Sequence, residues 1–186
     1  MSAGVEQYVE VLGILREQVL AIDADDLGRP TPCSEWDVAG LVAHAIGAMH
    51  YYARLARGDD DVRPVTVEID SVADMVAKFD GAVTAGVAAW SVPGVLDRQV
   101  RMVLGRMPGR DALAVHIGDL GIHAWDVATA RGATLELPSV LATDALATWE
   151  RVFVRLDRGT AFGTEVAVDA DASPTARLVA YCGRMP

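Results

Sequence analysis

No stretch of this chain stays apolar for the roughly 20 residues that a helix needs to cross a bilayer. The first residues, MSAGVEQYVE, lack the basic head and apolar core of a secretory signal. Both absences predict a cytoplasmic protein. Cysteine is scarce: only Cys33 and Cys182 occur, and they form no CxxC pair, so two reduced thiols are the expected state. Positive charge is scarce as well. Lysine occurs once, at Lys78, and 16 Lys and Arg face 26 Asp and Glu, for a net charge of −10. Such a surface repels phosphate backbones and anionic lipid, which excludes nucleic acid and membranes as expected partners.

Apolar material is plentiful. Hydrophobic residues make up 52% of the 186 residues and charged ones 23%, a balance that argues against disorder. The length suits one domain over residues 1–186, with a core that requires neither disulfides nor a metal to form.

Helical periodicity dominates. Val5, Tyr8, Val9, Leu12, Leu15, Val19 and Ile22 recur at spacings of three and four, one apolar helix face. Gly28, Pro30 and Pro32 then mark a loop. A second helix is predicted from Val38 to about Arg57, with Asp37 as N-cap and Gly58 as stop. A third carries Val72, Met75, Val76, Phe79, Val83, Val87 and Trp90, and ends at Pro93-Gly94. Residues 97–104 alternate like a short strand and Gly105 to Gly109 read as a turn. A fourth helix spans about Asp111 to Arg131. A fifth starts near Ser139 and carries apolar residues to Leu156. Past Gly159 the chain reads as irregular. Val166 and Val168 suggest a second short β element over 164–169, and Pro174 opens a last helical piece to Tyr181. The expected fold is mostly all-α, a helical bundle with minor β elements near 97–104 and 164–169.

The fourth helix is unusual. From Val115 to Ala130 its only ionisable residues are His116, Asp119, His123 and Asp126, spaced by three and four along one stripe. Such a stripe is either a solvated face or a ligand set. Other solvated faces of this chain carry Arg and Glu, whereas this one carries only His and Asp. Asp119 and His123, one turn apart, can chelate a single ion, as helical H-x-x-x-H pairs chelate zinc. His116 lies roughly 10 Å along the axis from His123 at 1.5 Å per residue, too far to share that ion easily. Asp126 is better placed to support a ligand from behind or to bond neighbouring backbone. A third ligand must come from another helix, and His44 is the candidate, although a lone histidine there also fits a core role. His50, displaced around the helix, is left out.

Three segments carry a family resemblance. TPCSEWDVAGLVAHAIGAMHYYARLARG, DLGIHAWDVATARG and FGTEVAVDADASPTARLVAYCGRMP occur in this order. Together they resemble the DinB-like bacterial proteins related to the N-terminal metal-binding domain of mycothiol-dependent maleylpyruvate isomerase, in their short single-domain form. The resemblance implies a DinB-like four-helix bundle holding one divalent ion through His44, Asp119 and His123. Zinc is the expected ion, with nickel or another divalent ion as alternatives. Cys33 matches the Thr-Pro-Cys of the motif. Its place before a helix N-terminus would lower a thiol pKa, so it is either a reactive thiol or a small side chain pinning the loop.

A site with three protein ligands and an open fourth position is catalytic in style. The resemblance points to a low-molecular-weight thiol as partner. The expected function is therefore a metal-dependent thiol transferase or isomerase acting on a small electrophile. A non-enzymatic metal-binding module, such as a stress or regulatory homodimer, is the alternative, and a metal-dependent hydrolase a further one.

Overall fold

Capping chemistry sets several of the helix ends. The computed structural model describes residues 2–59, 62–102, 105–154, 157–158 and 162–186, and among these it forms six helices. They are α1 (Ala3–Leu20), α2 (Val38–Arg57), α3 (Val72–Trp90), α4 (Gly109–Ala130), α5 (Ser139–Phe153) and α6 (Pro174–Tyr181). Asp37 accepts the Gly40 N–H at 2.8 Å, and Gly58, at φ 89°, closes α2 in the left-handed conformation that glycine adopts without strain. Ser71 caps α3 through the Asp74 N–H, and Ser173 caps α6 through the Ala176 N–H, with Pro174 in its first turn. The expected helices are all present. On α1 one residue changes sides: Val9 is 38% exposed, and Val11 is fully buried in its place.

Among the described residues the regular β structure is one hairpin. β1 (Gln99–Met102) pairs antiparallel with β2 (Gly105–Pro108), setting Gln99 opposite Pro108 and Met102 opposite Gly105. The expected strand 97–104 is the first arm, and its last two residues lie outside the described ones. The segment from Gly105, read as a turn, is the second arm up to Pro108. The second expected β element is corrected by the structure. Residues 164–169 form no strand, and the Val166 N–H donates to the Ala180 carbonyl at 3.0 Å, near the end of α6. An alternating segment with no strand edge beside it has no ladder to join. Leu156, expected on the fifth helix, and Gly159 lie outside the described residues.

The helices α1 to α4 form the four-helix bundle. α1 packs on α3 and α4, and α2 packs on the same two, so each long helix has two neighbours around one core. Tyr8, Leu15, Leu41, Ile46, Phe79, Trp90, Leu113 and Leu120 are buried between them. α5 then covers α4 from the outside, and α6 packs on α5. Two glycines let α5 approach. A Cβ at Gly118 would lie 2.7 Å from Trp149 Nε1, and one at Gly121 would lie 3.4 Å from the side chains of Leu137 and Leu141. α4 is thus enclosed by α1, α2 and α5, and this arrangement positions the site. No helix among the described residues is long and apolar enough to cross a membrane.

Candidate metal centre

Enclosure of α4 excludes the solvated-face reading of its polar stripe. His116 and Asp126 are fully buried, His123 is 2% exposed, and the Asp119 side chain is 15% exposed. A solvated face would not be packed this way. The stripe points inward, toward α2.

Three ligand-type groups converge there. His44 on α2 and Asp119 and His123 on α4 place one potential ligand atom each within 4.8 Å of the others. His123 Nε2 lies 3.4 Å from Asp119 Oδ1, and His44 Nε2 lies 3.9 Å from Asp119 Oδ2. Tetrahedral ligands at zinc bond lengths sit about 3.4 Å apart, so the donor set and spacing fit a small divalent ion. The His44 side chain is 36% exposed, which leaves the cluster open on one side.

Each imidazole is oriented from behind. The His123 Nδ1–H donates to Asp126 Oδ2 at 3.1 Å, which turns Nε2 toward Asp119. Asp126 in turn accepts two bonds from Arg184, at 3.2 Å from Nε and 2.9 Å from a terminal nitrogen. His44 stacks on Trp36, with ring centroids 4.2 Å apart and planes at 21°. Trp36 is held by the loop before α2: the Thr31 hydroxyl lies 2.8 Å from the Trp36 carbonyl oxygen and accepts the Cys33 N–H at 3.2 Å. Here the Thr-Pro-Cys segment has its structural role. Cys33 is 2% exposed, and burial pushes its thiol pKa up against the pull of Arg184. A buried thiol whose pKa is raised fits the pinning reading of Cys33.

Electrostatics tie the cluster together. Burial alone would raise the Asp119 carboxyl, but His123 and His44 beside it hold it far below the usual carboxylate range. Burial works against charge on His123, yet Asp119 and Asp126 raise its pKa to about 9. His44 is lowered, by burial first. His116 is stacked on Tyr52 with centroids 4.1 Å apart, neither ring nitrogen has a hydrogen-bond partner among the described residues, and burial lowers its pKa to about 3. It is a neutral core histidine, apart from the three-residue cluster. His50 lines a separate surface pocket with Glu68 and Lys78.

A cavity of about 220 Å³ opens onto the cluster, walled by His44, Asp119, Tyr51, Tyr52, Val115 and Trp149. Pro64 and Val65 close it from above. Their segment lies directly on α2, where a methyl at Gly47 would collide with the Val65 carbonyl oxygen. Sequence reasoning passed over Arg184, Tyr52 and Trp149 as parts of this neighbourhood. Only Arg184 left a signal, the Gly-Arg-x-Pro tail; the two aromatics looked like ordinary core residues.

The family model described as the mycothiol maleylpyruvate isomerase N-terminal domain matches residues 10–128. The chain belongs to this family. Two uncharacterized proteins of Mycobacterium tuberculosis, Rv0738 and MT0763, are each 29% identical to it over 167 residues, 88% of this chain and 87% of theirs. Among solved structures, the mycothiol-dependent maleylpyruvate isomerase superposes with a TM-score of 0.57 at 17% identity, and a point mutant of it with 0.59 at 16%. Each superposition covers 75% of this chain and 65% of the isomerase chain. These structures share the fold.

Proposed function

We propose that this protein binds one divalent ion, zinc in the first instance, through His44, Asp119 and His123, and uses it to activate a low-molecular-weight thiol for transfer to, or isomerisation of, a small electrophile. The observation that carries the reading is the convergence of three ligand atoms from two helices beside a cavity. A divalent ion held there would lower the pKa of a bound thiol and supply a thiolate at neutral pH. Three protein ligands leave one tetrahedral position for that thiol. Family membership supports mycothiol as the thiol.

The chain's own residues supply the rest. His44 and Asp119 border the cavity, so a group entering it meets the ligand cluster directly. Tyr51, Tyr52 and Trp149 give the cavity aromatic walls. The tyrosine hydroxyls stay protonated, since burial raises both pKa values, and so remain hydrogen-bond donors. A cavity of about 220 Å³ falls below the roughly 300–1,000 Å³ of a typical ligand site. It suits the reactive end of a thiol, with the rest of the molecule outside. A second cavity of about 570 Å³ shares Val115 with it and offers room beside the site.

The test has two parts. Elemental analysis of dialysed protein should find close to one divalent ion per chain. The zinc-loaded protein should then consume a monobromobimane-type electrophile in the presence of mycothiol faster than the His123→Ala variant does. No ion uptake would overturn the site. Ion uptake without any thiol-dependent rate would overturn the transferase reading and leave a metal-binding module.

A further inference from the structure

Arg184, which bonds Asp126 behind the site, belongs to a Gly-Arg motif at 183–184, and a Phe-Gly motif lies at 162–163. The structure brings them together. Gly183 has φ 84°, and a Cβ there would collide with the backbone of Gly163, so Gly183 must be glycine for the two segments to touch; a Cβ at Gly163 would be a tight 3.2 Å from the Gly183 carbonyl oxygen. The Arg184 guanidinium lies 5.4 Å from the Phe162 ring centroid, and one of its terminal nitrogens donates to the Cys182 carbonyl at 2.9 Å. These contacts bury Arg184 to 2% exposure and aim its fork at Asp126 on α4.

One atom makes this more than an anchor for the tail. Asp126 Oδ2 accepts both from Arg184, at 2.9 Å, and from His123 Nδ1, at 3.1 Å. The bidentate guanidinium fixes the plane of the carboxylate, and the carboxylate fixes the rotation of the imidazole. We infer that Arg184 is a positioning residue for the metal centre, setting the aim of His123 Nε2 through Asp126. The clasp of Phe162, Gly163, Gly183 and Arg184 is then the outer support of the site, although no clasp residue belongs to the three-ligand cluster. The inference rests on the proposed ligand set.

A lysine cannot replace this arginine, because an ammonium has no planar fork for two carboxylate oxygens. Arg184→Lys and Arg184→Gln should each weaken zinc binding by about 10–100-fold, the usual scale for a lost partner behind a ligating histidine. The measurement is competition with a chromogenic chelator on the full chain, together with the visible ligand-field spectrum of the Co²⁺-loaded protein, which should change shape. Arg131→Gln, which removes the ion pair between the end of α4 and Asp26 while Arg29 still pairs with Asp26, should leave both readouts as in the wild type.

Breaking a buried ion pair from one side can unfold a protein. A second comparison therefore uses Asp126→Asn alone and combined with Arg184→Gln, so that no buried carboxylate is left unpaired. If Arg184 acts only through Asp126, the double variant binds zinc no more weakly than Asp126→Asn alone. Unchanged affinity and spectrum in the Arg184 variants, or losses that add in the double variant, would overturn the inference while leaving the ligand set intact. A wild-type protein that takes up no zinc would overturn both.

Discussion

At His123, burial and charge oppose each other and charge wins, so the ion-free protein keeps a proton there at neutral pH. Its folded pKa of about 9 stands above the ordinary 6.5. The sign follows from linkage. The protonated imidazole contributes stability fully below about pH 6.5, and that contribution is lost as pH rises through about 9. The melting temperature of the chelated protein should fall across that window. A divalent ion has to displace the same proton, so zinc affinity should rise with pH up to about 9. Zinc titrations in buffers of different ionisation heat should show about one proton released per ion at neutral pH, and no release would contradict the role of His123. The histidines are also ranked by geometry. His44→Ala and His123→Ala each remove a proposed ligand and should abolish tight zinc binding. His116→Ala, by contrast, should lose at most about 10–100-fold. A chelator competition in which His116→Ala loses the ion while His44→Ala keeps it would exchange the ligand set.

At the scale of the element, α4 carries the site because it has no solvent side. The pattern of His116, Asp119, His123 and Asp126 was legible as a stripe, and the one-turn spacing of Asp119 and His123 as a chelating pair. Whether the stripe met water or protein was not legible, since that depends on α2 and Arg184 lying against it, while α5 covers the opposite side of α4 at Gly118 and Gly121. Alanine for glycine inside a helix normally stabilises by about 0.5–1 kcal/mol. At Gly118 the added methyl would sit 2.7 Å from Trp149 Nε1, and overpacking of that kind costs about 1–3 kcal/mol. Gly118→Ala should therefore lower the melting temperature and change the near-ultraviolet dichroism of tryptophan. A higher melting temperature would mean that α5 is not seated on α4 as described. Gly47→Ala should act on the cavity instead. It forces the Val65 segment off α2 and opens the roof, raising the KM for the thiol while zinc content stays near one per chain.

At the scale of the whole molecule, the core does not depend on an ion. The buried residues of α1 to α4 form one continuous apolar cluster that extends to α5 and α6, unlike zinc fingers, whose fold forms only with metal. Chelation should leave the far-ultraviolet dichroism helical and lower the melting temperature only by the linkage of a lost ligand. Collapse of the helical signal at room temperature would mean that the ion is structural.

The helices were determined by the sequence alone, because each rests on local chemistry: apolar residues at intervals of three and four, an Asp or Ser cap on α2, α3 and α6, a glycine stop after α2. Family motifs in the chain also pointed to His44 as the partner of Asp119 and His123. Tertiary structure decided what no local rule reaches. It placed His44 on the neighbouring helix beside Asp119, kept His116 as a core imidazole stacked on Tyr52, and left residues 164–169 outside any strand. It also brought Arg184 behind Asp126, 58 positions away in the chain. Contacts between segments that distant come from how whole helices stack, and periodicity along one helix carries no record of the neighbour that will cover it.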